Sequence, residues 1–334
     1  MNFRELPKID LHCHLDGSLP LDTVRELTGN RDIRLDELQA DRDCKSLKEY
    51  LEKFDLPLQG MQTEAHLKRA AKDFLIEISK ENICYVEVRF APMLSVTENL
   101  SCSQVIAAVL EGLYEAQRQV GTAWQLIICA MRHHSRKQNT KALEGALEFF
   151  GKGVCALDLA GDEAAFPTKD FRWLFQRAGA AGIPYTIHSG ECGSVENMRE
   201  ALELGAARVG HGIALAQDAE LMLQYRERHI GIEMCVTSNL QTKAAECMED
   251  YPMKQFLEYG LCVSANTDNR TVSRTDMTQE LEILYKWFGD EQIILRLLKN
   301  AVEMSFAPEH EKCRIREKIR VFLEKENIVF KEGI

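Results

Sequence analysis

The chain has 334 residues, with 52 Asp and Glu against 41 Lys and Arg, for a formal net charge of −11. That balance argues against a nucleic-acid partner, and with no run of about 18 apolar residues a membrane span is not expected. The N-terminal "MNFRELPKIDLHCHLDG" lacks the apolar core of an export signal, and the 11 cysteines contain no C-x-x-C pair, so the chain reads as cytoplasmic with free thiols.

Short apolar runs alternate with longer amphipathic stretches. Strands are predicted at 8–12 (KIDLH), 83–90 (ICYVEVRF), 124–131 (WQLIICAM), 154–160 (VCALDLA), 184–188 (PYTIH), 207–211 (ARVGH), 230–235 (IGIEMC) and 261–267 (LCVSANT). Between them lie helical patterns such as SQVIAAVLEGLYEAQRQVG and VENMREALELG, which end at glycine as helices commonly do. The strands are apolar on both faces, which fits a parallel sheet covered by helices, and eight such units predict an α/β fold of the (β/α)8 TIM-barrel type. An open doubly wound sheet is the alternative. No G-x-G-x-x-G follows the first strand, which weakens its nucleotide-cofactor form. About 70 residues separate the first two strands, more than one helix needs. The stretch 46–82 reads as helical twice, so inserted helices are expected over the barrel mouth as a lid. Roughly 65 residues of helical pattern follow the last strand, predicting extra C-terminal helices. No linker or long repeat divides the chain, and residues 1–334 are expected to form one domain.

In a barrel of this kind the C-terminal strand ends converge on one face, where active sites sit. Four of the nine histidines fall at such ends. His12 and His14 alternate along the first strand and so point the same way. His188 and then Glu191 end the fifth, His211 ends the sixth, and Asp268 with Asn269 ends the eighth. A catalytic zinc takes nitrogen and oxygen ligands and keeps one position for water. His12, His14, His188 and Asp268 suit that role. Glu191 can be a proton donor, and His211 can orient or deprotonate the water. Each has a plainer reading: His188 as a satisfied core histidine, Asp268 as a helix N-cap. His133 and His134 read as supporting or structural residues; His66, His229 and His310 as surface ones; Cys192 as a small filler.

The motifs KIDLHCHLDGSL, YVEVRFAP, LDLAGDE, HSGE, RVGHGIAL and SANTDN, in that order over residues 8–269, resemble the adenosine deaminases of the metal-dependent amidohydrolase superfamily. The resemblance implies one zinc held by His12, His14, His188 and Asp268, because the fourth strand end, Asp158 to Gly161, offers no lysine to bridge two metals. It implies that Glu191 protonates purine N1 and that His211 positions the attacking hydroxide and assists its deprotonation. His14, Asp16, Gly161 and Asn269 would bind substrate. Asp16 would meet the ribose 5′-hydroxyl and the Gly161 N–H would meet N3. Residues around Phe54 would cap the pocket. Many family members carry aspartate where this chain has Asn269. That side chain meets purine N7, an acceptor, and an amide donates to it without first being protonated.

The expected activity is zinc-dependent hydrolysis of adenosine and 2′-deoxyadenosine to the inosines and ammonia, in purine salvage, by a monomer or homodimer. The nearest alternatives are the same chemistry on adenine or an N6-substituted AMP, then a different amidohydrolase, then a binding protein that kept the fold. An anionic Asp16 would repel a 5′-phosphate, and Glu191, aimed at a ring nitrogen, suits deamination.

Overall fold

The computed structural model describes residues 1–334 except 42, 43, 45 and 46. Eight parallel strands form: β1 (Lys8–His14), β2 (Ile83–Phe90), β3 (Ala123–Met131), β4 (Val154–Ala160), β5 (Thr186–Ser189), β6 (Arg208–His211), β7 (Gly231–Met234) and β8 (Val263–Ala265). The ladders run β1-β2-β3-β4 and β5-β6-β7-β8. Single parallel bridges, Leu157 to Tyr185 and Cys13 to Asp268, link the two sheets at their edges. This is the expected (β/α)8 architecture. All eight strands meet their predicted positions within a few residues because fully buried parallel strands must be continuously apolar.

The β8–β1 seam places chemistry directly. His14 N–H donates to Asp268 O and Asp268 N–H donates to His12 O, both at 2.7 Å. Residues about 256 apart in sequence are thereby held in register. Helix Glu291–Met304 packs across β8 and β1 and covers this seam. It belongs to a C-terminal set with Met277–Phe288 and Glu309–Lys325, as the long helical tail predicts.

The connection from β1 to β2 is more specific than a pair of lid helices. Helix Glu64–Ser79 packs its apolar stripe on β2 and on helix Cys102–Val120, as an ordinary barrel helix does. Only the shorter pieces Leu47–Leu51, Glu52–Phe54 and Asp55–Gly60 lie at the mouth. Ser46, where the expected helical stretch begins, lies outside the described residues. The main hydrophobic core runs from Phe3 to Leu323. Ala40, Cys44, Tyr50 and Val272 form a separate small cluster, with Phe54 packed against it.

Candidate active site

The expected metal-ligating residues converge. His12 Nε2 and His14 Nε2 each lie 3.1 Å from His188 Nε2 and 3.5 Å from Asp268 Oδ1. Donors about 2.0–2.1 Å from a common centre lie roughly 3–4 Å apart, so the spacing suits four ligands of one shared cation.

The chemistry of the donor set makes the same case. His12 Nδ1 is 2.8 Å from Glu233 Oε2, and His188 Nδ1 is 2.9 Å from Asp158 Oδ2. Burial alone would raise both carboxyls, but Arg89, Arg208 and His12 around Glu233, and His188 and Arg89 around Asp158, hold them well below the usual range. Both are therefore ionised and can only accept, so the two histidines carry their protons on Nδ1. Their Nε2 atoms then face each other as two lone pairs with no proton between them. A cation resolves that repulsion, and the residues fit one. Asp268 is also buried, yet the surrounding histidines keep its carboxyl well below the usual range. Ser238 Oγ donates to its Oδ2 at 2.6 Å, leaving Oδ1 for the cluster. Arg89 joins the two outer carboxylates, donating to Asp158 at 3.0 Å and Glu233 at 2.8 Å.

Two of the polar residues sit in uncommon backbone conformations. His211 has φ 65° and Asp268 φ 62°. Non-glycine residues in the left-handed region concentrate at functional sites, where the fold holds the strain. Here the bend turns each side chain from a strand end into the cavity.

Glu191 lies beside the cluster, its Oε2 3.6 Å from His211 Nε2 and its Oε1 accepting from Thr242 Oγ1 at 3.1 Å. Its loop is clamped by Glu163, which accepts the N–H groups of Gly190 at 2.7 Å and Cys192 at 3.1 Å. A cavity of about 310 Å³ opens over these groups. Its lining includes His14, Asp16, Phe54, Gly161, Glu191, His211 and Asn269, which brings all the expected site residues except His12, buried beneath, onto its wall. Burial pushes the Asp16 carboxyl up to about 6, and its Oδ1 has no partner. Asn269 Oδ1 is also unpartnered and packs against Gly17, where an added Cβ would come within 2.0 Å of it. Gly17 is therefore required by close approach rather than by a turn.

Some residues differ from their sequence reading. His133 is exposed but lines the cavity mouth. Cys192 is exposed rather than a filler. His66 is half-buried, its Nδ1 2.9 Å from Gly60 O. The supporting residues Arg89, Asp158, Glu233 and Asn239 were not singled out for these roles by sequence. The available signal was a charge inside an apolar strand, as in VEVRF, VCALDLA and IGIEMC: a buried charge demands a partner. The sequence does not say which partner.

The family model described as adenosine deaminase matches residues 7–322. The chain is 43% identical over 326 residues to an adenosine deaminase of Clostridium botulinum (strain Okra / Type B1), covering 93% of this chain and 96% of the relative. Among solved structures, the Arabidopsis N6-mAMP deaminase superposes with a TM-score of 0.85 at 23% identity, over 96% of this chain and 99% of that one. An amidohydrolase of Burkholderia ambifaria with bound Zn gives 0.86 at 23% identity, over 97% and 92%. At those identities the two structures speak for the fold.

Proposed function

Because this chain belongs to the adenosine deaminase family, whose members are hydrolases acting on adenosine, we propose that it uses a single zinc to deaminate adenosine and 2′-deoxyadenosine, as a cytoplasmic purine-salvage enzyme. The whole chain is taken as one hydrolase domain, in keeping with a core that runs from Phe3 to Leu323. Among the described residues no helix is long and apolar enough to cross a membrane.

The observation that carries the nucleoside reading is the charge of the cavity wall. Asp16, Asp55, Asp162, Glu191 and Asp268 line it, and no lysine or arginine does so among the described residues. A 5′-phosphate there would meet carboxylates and, among the described residues, no lysine or arginine to pair with. A neutral ribose suits the wall, and the Asp16 carboxylate on it accepts the 5′-hydroxyl.

His12, His14, His188 and Asp268 would hold the zinc, which when bound supplies a hydroxide nucleophile near neutral pH. Glu191, steadied by Thr242, gives a proton to N1 as C6 is attacked, so negative charge does not build up in the ring. His211 lies next to Glu191 and orients the attacking oxygen. Asn269 donates from its amide to N7, and the Gly161 N–H meets N3. Phe54 and its neighbours exclude water from above.

Zinc-loaded protein mixed in parallel with adenosine, adenine, AMP and N6-methyl-AMP, and followed by the ultraviolet change, tests this. Adenosine should be consumed fastest. Faster turnover of either nucleotide would overturn the nucleoside assignment, and faster turnover of adenine would overturn the role of Asp16.

A further inference from the structure

The three buried histidines at the ends of β1, β5 and β6 differ in what their Nδ1 atoms meet. For His12 and His188 the partner is a carboxylate. For His211 it is the side-chain amide of Asn239, with Nδ2 at 2.9 Å. The far end of that amide fixes its orientation. Asn239 Oδ1 accepts the backbone N–H of Cys235 at 3.4 Å and the Tyr251 hydroxyl at 3.2 Å. A backbone N–H can only donate, so the atom facing Cys235 is the oxygen and the NH2 group is left for His211. Turning the amide round would strand the Cys235 N–H in a fully buried position.

An amide NH2 also only donates. His211 Nδ1 must therefore accept, and a proton on it would face the NH2 head on. The ring proton of His211 then sits on Nε2, the atom 3.6 Å from Glu191 Oε2. Asn239 is itself rigidly placed: it is fully buried in helix Val236–Gln241, and its backbone N–H is bonded to Cys235 O at 2.9 Å.

We propose that Asn239 is a positioning residue that locks His211 in its Nε2–H tautomer, so that His211 serves the reaction as a hydrogen-bond donor and not as its base. The inference deepens the proposed function and rests on it for the placement of His211 beside the reacting atoms. The proton leaving the attacking water then goes to the Glu191 carboxylate, and Glu191 passes it to N1. One residue takes and returns the proton, while His211 holds the attacking oxygen by donation.

Nitrogen NMR of zinc-loaded protein carrying 15N-labelled histidine tests the lock directly, with the His211 signals assigned by loss in His211→Gln. Wild type should show an unprotonated, pyridine-type Nδ1 and a protonated Nε2 at His211. Asn239→Asp keeps Oδ1 for Cys235 and Tyr251 but replaces the donor with an acceptor. It should move the proton to Nδ1 and lower kcat roughly 10²-fold, with KM and zinc content little changed. Asn239→Gln, which keeps an NH2 group, should retain the wild-type tautomer. A protonated Nδ1 in wild type, or an unchanged tautomer in Asn239→Asp, would overturn the proposal. Because the tautomer is read without substrate, failure of the lock is distinguishable from failure of the adenosine assignment.

Discussion

The floor and the lid of the cavity are built on different principles. On the floor three of the four expected metal donors rest on a buried partner. His12 rests on Glu233, His188 on Asp158, Asp268 on Ser238, and Arg89 ties the two outer carboxylates together. Except for Ser238, on helix Val236–Gln241, these groups stand on the strands or just beyond their ends. The lid residues Tyr50, Leu51, Phe54 and Leu58 line the same cavity from a broken helical segment. Tyr50 shares a hydrogen bond with the Ser273 hydroxyl at 2.6 Å and, among the described residues, packs in a small buried cluster separate from the core. Rigid support holds the chemistry in place, and sparse support lets a wall open for substrate. Floor variants should therefore change metal affinity or kcat, and lid variants should change KM.

The largest effect expected is at Glu191. Glu191→Gln should lower kcat by roughly 10²–10⁴-fold with zinc stoichiometry unchanged; near-wild-type turnover would remove Glu191 from the mechanism. Next comes support of the ligands. Asp158→Asn should weaken zinc binding roughly 10–100-fold in competition with a chromophoric chelator. Unchanged affinity would mean that the carboxylate beneath His188 only packs.

A smaller effect concerns pH. Glu280 lies under helix Val236–Gln241, accepting from the Thr237 and Thr275 hydroxyls. Burial pushes its carboxyl up to about 7. The folded protein thus keeps a proton there that the unfolded chain releases near about 4.3. Stability from this group is fully present below the lower value and declines as pH rises through the higher one. Urea unfolding between pH 5 and 8 should show wild type losing stability relative to Glu280→Gln, and parallel curves would exclude the effect. The smallest change belongs to the lid: Phe54→Ala removes a half-buried ring and should raise KM by about 5-fold, close to 1 kcal/mol, with kcat and zinc unchanged. A drop in kcat alone would place Phe54 with the floor and break the comparison.

The long β1–β2 connection shows where sequence reading loses resolution. The stretch reads as helical both in Glu64–Ser79 and before it, yet among the described pieces from residue 47 on only Glu64–Ser79 packs as a barrel helix. Periodicity reports that a face is apolar and leaves open what that face meets.

The sequence alone determined the eight apolar strands, the polar residues at their C-terminal ends, and a set of motifs that resemble one family. These are local properties: strand alternation puts His12 and His14 on one side, and burial on both faces makes each strand apolar. Only the tertiary structure decided which atoms meet. The β8–β1 seam sets Asp268 against His12 and His14. The barrel interior sets carboxylates behind His12 and His188, and an amide behind His211. A histidine in a sequence has two possible neutral forms. Whether its Nδ1 meets an acceptor or a donor depends on a side chain from another strand or from the helix beyond it, and no periodicity in the chain encodes that choice.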